Sequence, residues 1–554
     1  MAFATRIAGT LRTAGSELKA MLRRATLLVP SAVITMLVSP ASRAHAQATP
    51  LVVPSAPVYR HLEQLGAMGL IDTLILGTRP FSEREIMRRL TEAKRNLGRL
   101  TSVGGRDWAQ ETIAADLARY RRDGNRLLDA ASAEVAGMAS PFRKIPTDGN
   151  GGLDALINPL AAYREGRPIV SGGLVSFETM HSALLGSHVA VTLNPRVSAA
   201  IQDSIGAQAE FRLQSGYINT LFGGFSIEVG RDYAIFGQAP MGGLLLSSNA
   251  PALDMIRVMN DRAWRVPVVS RLFGSMRGSL FLADLGTTHQ THPHAKLIAY
   301  HLATLPSPHF ELGVQVVDAM GGNGGQPATF SDRLLDAIPV VDAFRTSSDF
   351  QFSNKLAGID LRWRMPGWRG FELYAEGNAD DFDGRNLSRG FVEDAGYIFG
   401  TSFACLFGCG NTAVRAEYHQ TGIRYYTHFD YPLASNGFLL GDPLGPRAVG
   451  GYLSGDTQLG PSHELSVTGA FEARSGNTYR SATTGAREEG FHFELVERRP
   501  SEKRARLAAT WTRGEDSPLS VSISGGIERV WNFRFIPNYE RMNVLARIAI
   551  VARP

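Results

Sequence analysis

Cysteine is nearly absent, two in 554 residues, which excludes a small fold held together by a disulfide framework. No apolar run approaches the roughly 18 residues of a spanning helix, so a helical membrane protein is excluded as well. There is no Gly-rich phosphate loop, no H-E-x-x-H pair and no G-x-S-x-G elbow, and the scattered Ser, His and Asp residues have no spacing that selects a triad. The expectation is therefore a protein that is not an enzyme, with no catalytic residues, no cofactor and no resident metal. Charge of one sign is also missing. The formal net charge is +5, but six of the Lys and Arg residues and a single acid fall in residues 1–46, which leaves the remainder formally neutral. No nucleic-acid partner follows from such a balance.

Residues 1–46 carry an arginine-bearing start, an apolar stretch from Ala25 to Val38 interrupted by Pro30, and Ala44, His45 and Ala46 ahead of Gln47. This pattern predicts a secretory signal peptide cleaved after Ala46. From Pro54 to Gly137 the apolar spacing is helical. Val58, Leu62, Leu65 and Met68 recur at three or four residues until Gly69. Ser82 and Glu85 form an S-x-x-E capping box that opens a second helix. A third is predicted over Asp107 to Val135, with Trp108, Ile113, Leu117, Tyr120, Leu127, Ala131 and Val135 near one face.

Beyond about Pro146 the period changes to two. Phe225, Ile227 and Val229 alternate with Ser226, Glu228 and Gly230, and Ala505, Leu507, Ala509 and Trp511 with Arg504, Arg506, Ala508 and Thr510. The same holds for Leu465 to Ala473, Leu519 to Ile527 and Val544 to Ile550. These segments run about ten residues, longer than the usual five or six of a soluble sandwich. With 58 glycines in the chain and Gly, Asp, Asn and Pro clusters between these segments, the fold class predicted is mainly β: a large antiparallel transmembrane barrel of some 16 to 18 strands, with a small N-terminal helical domain. The domain division is a signal peptide at 1–46, a periplasmic or plug-like helical domain at 47–145 and an outer-membrane barrel at 146–554.

Three ordered motifs add to this reading. They are VGRDYAIFGQAPMGGLLLSSNAPALDMIRV at Val229 to Val258, HFELGVQVVDAMGGNGGQP at His309 to Pro327, and EYHQTGIRYYTHFDYPLASNGFLLGDPLGP at Glu417 to Pro446. With the turn Gly77-Thr78-Arg79-Pro80, they resemble the Wzi-type capsule assembly family of outer-membrane barrels from about Val53 onward. The best-matching residues are Gly230, Arg231, Asp232, Gly237, Gly243, Leu244, Ser247, Asn249 and Ala250. The chain departs from the family pattern at Phe236, Gly237 and Gln238, where a Trp-Gly-Pro run is usual. The resemblance implies an eighteen-stranded barrel acting as a surface lectin that holds capsular or extracellular polysaccharide. Its other partners would be outer-membrane lipid and the barrel assembly machinery, and its extracellular loops would face outward. The competing readings are a porin-like channel or transporter and, behind it, a barrel hydrolase.

The candidate ligand-binding residues follow from sugar chemistry. Arg231, Asp232 and Asn249 offer fixed donors and acceptors for hydroxyls or a uronic carboxylate; the alternative is a lumenal Arg231–Asp232 ion pair. Tyr418, Tyr425, Tyr426 and Tyr431, with Arg424, offer rings and a guanidinium near a Pro/Gly-rich loop; the alternative is an interfacial girdle. Cys405 and Cys409 form the disulfide candidate in an oxidising compartment. His289, His292 and His294 lack a nearby carboxylate or cysteine ligand and are read as a hairpin loop. Glu376, Asp380, Asp381 and Asp383 are read as a strand and solvated loop in preference to a calcium site.

Overall fold

The computed structural model describes residues 48–121, 126–139, 164–167, 172–202, 206–289, 291–325, 353–380, 393–406, 411–428, 430–460, 462–481, 493–515 and 517–553. The predicted signal peptide, and the helical domain's first residue, lie outside them. Three helices come first: α1 (Val58–Ala67), α2 (Glu83–Asn96) and α3 (Val103–Tyr120). Leu62, Leu65, Leu74, Ile86, Leu90, Trp108 and Ile113 pack between them, all buried. Gly69 takes a φ of +78° just past α1, as expected of a glycine that closes a helix. Half of the predicted capping box forms. Ser82 Oγ accepts the Glu85 N–H at 3.1 Å, whereas the Glu85 carboxylate turns to Arg88 and Arg89.

Eighteen antiparallel strands then close into a barrel. They are β1 (Arg126–Ala139), β2 (Gly172–Leu185), β3 (Val189–Gln202), β4 (Gly206–Phe222), β5 (Phe225–Asp232), β6 (Leu253–Asn260), β7 (Ser275–Asp284), β8 (Lys296–Ser307) and β9 (Phe310–Met320). The second half comprises β10 (Ser353–Met365), β11 (Phe371–Asp380), β12 (Ala395–Phe403), β13 (Thr412–Thr421), β14 (Ala448–Gly460), β15 (His463–Arg474), β16 (Glu502–Arg513), β17 (Leu519–Trp531) and β18 (Arg541–Ala552). Strand β1 pairs with β2 on one side and β18 on the other, with Val135 opposite Ile548. Closure leaves no sheet edge, the condition for a sheet in hydrocarbon.

The two faces divide as the alternation predicts. Val135, Val229, Ile256, Phe399, Leu507 and Ile548 point outward and are exposed, while Arg257, Arg277, Arg362 and Arg364 point inward and are buried. An apolar exterior and a charged interior invert the usual soluble arrangement and suit a barrel in a bilayer.

The structure corrects one boundary. The third helix ends at Tyr120, not Val135, and the barrel begins at Arg126, not at 146. Leu127, Ala131 and Val135 are four residues apart, a spacing that lies on one face of a helix and equally on one face of a strand. The pairing of β1 with both β2 and β18 decides for the strand.

Candidate functional site

After β5 the hallmark segment turns into the barrel instead of crossing directly to β6. Ile235 and Phe236 pair antiparallel with Arg79 and Thr78, and the Gly237 N–H donates to Gly77 O at 2.9 Å. The N-terminal region and the hallmark segment thus meet as a plug within the lumen. Wall side chains hold it. The Glu376 carboxylate on β11 accepts backbone N–H groups from Gln238 at 2.6 Å, Ala239 at 2.9 Å and Leu244 at 3.1 Å. Glu311 on β9 accepts those of Leu76 and Gly77, at 2.9 and 2.7 Å.

Gln238 joins these groups. Its Nε2 donates to Glu311 at 2.8 Å and Asp360 at 2.7 Å, and its Oε1 accepts from Arg362 Nε at 2.9 Å. The proline usual at this place in the family pattern has neither the side-chain amide nor the N–H that Glu376 binds here. His301 bridges Asp360 and Thr78, and Arg362 also pairs with Glu63 of α1 at 2.8 Å. Gly237 has a φ of +104°, and Gly230 one of +141° where a Cβ would fall 2.3 Å from Gly216 O. Both backbones need glycine.

A loop over 422–447, between β13 and β14, packs onto the plug. Tyr425 and Tyr426 hydroxyls both donate to Leu244 O, and Tyr426 accepts the Asp442 N–H at 2.9 Å. Ser247 Oγ donates to Gly441 O at 2.7 Å, and Asn249 Nδ2 to Leu439 O at 2.9 Å. Phe236, Leu244, Phe281, Tyr425, Tyr426 and Leu439 form a buried apolar cluster inside the barrel. Burial pushes both phenols well above their ordinary range, so they act as neutral donors.

The predicted binding residues separate into distinct environments. Arg231 faces outward beside the apolar belt and makes a two-pronged pair with Asp254, at 2.8 and 2.7 Å. Asp232 faces inward and pairs with Arg257 at 2.6 Å. The lumenal Arg231–Asp232 pair is therefore not formed, because successive residues of a strand point to opposite faces. Asn249, Tyr425, Tyr426 and Tyr431 are buried where loop meets plug. Tyr418 is on the outer face, 43% exposed, and donates to Gln420 at 2.9 Å. Arg424 lies in the same loop, with its side chain 38% exposed, its Nε on Asp394 at 2.7 Å and its guanidinium 5.7 Å from the Phe493 ring centroid.

Cys405 is buried, and Cys409 lies outside the described residues, as do Asp381 and Asp383. His289 donates to Pro432 O at 3.1 Å and His294 faces Asp284. No group of three His, Cys, Asp or Glu side chains converges on a metal position among the described residues. Glu311 and Asp360 went unnoticed in the sequence, Gln238 stood out only as a departure from the family pattern, and Glu376 only as an acid near a calcium candidate. Their one signal is an acid or amide on the polar phase of an alternating strand or loop, as in HFELG around Glu311, which many lumenal residues share.

A closed barrel with an apolar outer belt, a charged wall and a plug held by that wall defines an outer-membrane β-barrel with a structured lumen. The chain belongs to the capsule assembly protein Wzi family, whose sequence profile matches residues 156–543. It is similar to Wzi of Escherichia coli, described as an outer-membrane protein involved in group 1 capsule assembly and a carbohydrate-binding β-barrel. The match has a TM-score of 0.65 at 16% identity, over 91% of this chain and 100% of that one. Superposition on OpdQ of Pseudomonas aeruginosa gives a TM-score of 0.41 at 9% identity, over 76% and 96% of the two chains. No curated protein sequence matches the chain.

Proposed function

We propose that the protein is a non-enzymatic carbohydrate-binding barrel that holds capsular or extracellular polysaccharide at the cell surface. The observation that carries this reading is the packing of the 422–447 loop onto the hallmark plug, which makes one end of the barrel a braced platform. The E. coli relative is described as carbohydrate-binding, which supports the same reading. Most connections at the helical end are short, as 461–462 between β14 and β15, with 261–274 the longer exception, and several at the other end are long, as 321–352 and 422–447. Outer-membrane barrels carry short periplasmic turns and long extracellular loops, so the helices are assigned to the periplasm and the braced 422–447 loop to the outside. Outer-membrane lipid meets the apolar belt, and the barrel assembly machinery inserts it.

At the exposed end Arg424 is the residue best placed to meet a polymer, and many weak contacts along one chain add up through avidity. The test compares polysaccharide retained on cells with that shed into the medium, with and without the gene, at equal total synthesis. Polymer moving to the medium supports anchoring; unchanged retention overturns it. A second reading, a diffusion channel, draws on the half-exposed inward residues Thr510, Ser522 and Ser524 along β16 and β17. Conductance of the purified barrel in a planar bilayer decides between the two.

A further inference from the structure

The plug is not centred. On the side of β6 to β12 the inward residues, such as Phe281, Glu311, Arg362 and Glu376, are buried against it. On the side of β15 to β17 those nearer the helical end are small and half-exposed, as Ser466, Thr468, Thr510, Thr512 and Ser524. Between plug and that wall lies a cavity of about 380 Å³, within the size range of small-molecule sites or close to its lower end. Its lining brings together three kinds of surface. Ser466, Thr510 and Thr512 present hydroxyls from the wall; Pro57, Pro240 and Leu76 present an apolar face; Arg79 and Arg415 present guanidinium groups.

Charge on the lining is unevenly satisfied. Glu464 and Glu515 face Arg60, and Glu63 bridges Arg362 and Arg415. Arg79 has no such partner: its side chain makes no hydrogen bond or ion pair among the described residues, and its buried Nε is unsatisfied. The Nε of Arg415 is likewise unsatisfied. The Arg79 backbone is paired with Ile235, so the residue stays beside the cavity and does not move off with a loop. A buried donor without an acceptor costs stability, and a planar guanidinium fork matches a carboxylate in two parallel bonds.

We propose that this lumenal cavity binds a hexuronic acid, as a free sugar or the end of an acidic glycan. The carboxylate lies on Arg79, with Arg415 beside it. The ring hydroxyls meet Ser466, Thr510 and Thr512, and the apolar ring face lies toward Pro57 and Pro240. The inference rests on the reading of the barrel as a glycan binder, and adds a second, internal site with a stated charge preference.

The test is isothermal titration of the detergent-folded full-length protein with sodium glucuronate, glucose and inorganic phosphate. Glucuronate is expected to bind at least about tenfold more tightly than glucose and phosphate, and Arg79→Gln to weaken it by about tenfold or more. Thr510→Trp, which fills the cavity from the wall without touching the plug's hydrogen bonds, is expected to abolish binding. Retention of heat-modifiable migration on gels shows that both variants remain folded barrels. Absence of glucuronate binding, equal binding by Arg79→Gln, or phosphate binding as tightly as glucuronate overturns the inference. Surface retention of polymer, measured in parallel, separates the two levels. If glucuronate fails while retention still depends on the gene, only the internal site falls; if retention is independent of the gene, the anchoring reading falls.

Discussion

Gly237 in the plug and Glu376 on the barrel wall stand so close that a Cβ on the glycine would lie 2.3 Å from the carboxylate oxygen. The carboxylate reaches the backbone N–H groups of Gln238, Ala239 and Leu244 only because nothing projects from position 237. Gly237→Ala and Glu376→Ala are each expected to loosen the plug. Several unsatisfied buried N–H groups at about 1–3 kcal/mol apiece are at stake. Single-channel conductance should rise above that of the unmodified barrel in both. The double variant should be milder than the sum, since the methyl group then meets no carboxylate. Additive effects would show that the two residues act separately.

Asp261, just after β6, ties the helical region to the barrel rim. Its carboxylate accepts from Ser82 at 2.6 Å and pairs with Arg84 and Arg88 of α2. Burial pushes the carboxyl up, but Arg88 and Arg84 beside it outweigh this and hold it down at about 2. A depressed carboxylate stabilises the fold above its unfolded value of about 3.9, and that contribution disappears as pH falls through the folded value. The docking of α2 is expected to be insensitive to pH from neutrality to about 4 and to weaken below that. Asp261→Asn should remove about 2 kcal/mol at neutral pH and flatten the acid dependence. Urea unfolding followed by the far-UV helical signal, across this pH range, checks both.

Tyr426 and Tyr418 carry the same hydroxyl in opposite surroundings. Tyr426→Phe strands the Asp442 N–H in the interior and leaves Leu244 O to the Tyr425 hydroxyl alone, with an expected loss of about 1–3 kcal/mol and faster proteolysis of the 422–447 loop. Tyr418→Phe, on the outer face, is expected to change stability by less than about 0.5 kcal/mol. Equal effects would mean that the loop is not held through the Tyr426 hydroxyl.

Arg424 is the candidate sugar contact that is both exposed and in the braced loop. Arg424→Ala is expected to shift a several-fold larger share of polysaccharide into the medium without altering the amount of folded barrel in the outer membrane. Arg231→Ala, whose guanidinium lies on the outer face against Asp254, should leave retention unchanged. If Arg424→Ala retains polymer fully, the contact lies elsewhere among the loops.

The barrel was legible because its signal is periodic and repeated. Phe225, Ile227 and Val229 or Ala505, Leu507 and Ala509 show the same alternation, and each strand reinforces its neighbour. The helices were legible from Val58, Leu62 and Leu65 and from the Ser82 cap. The end of the third was not, since Ala131 and Val135 fit both periods. The candidate site was less legible. The three motifs marked the right segments, and Gly237, Leu244, Ser247 and Asn249 all lie in the plug or its contacts. Polar and aromatic character, however, pointed to ligand at Asn249, Tyr425 and Tyr426, where the structure assigns hydrogen bonds to backbone carbonyls.

Sequence by itself determined the class of fold, because a lipid-facing sheet must place apolar side chains at every second position whatever its neighbours do. Only the tertiary structure decided that Glu376, Glu311 and Gln238 hold a plug, and that Arg79 faces a cavity without a partner. Those relationships join residues from 73 to 235 positions apart. They depend on which strand closes against which, and on where a loop enters the lumen. An acid that grips a backbone N–H and one that faces water occupy the same place in an alternating pattern.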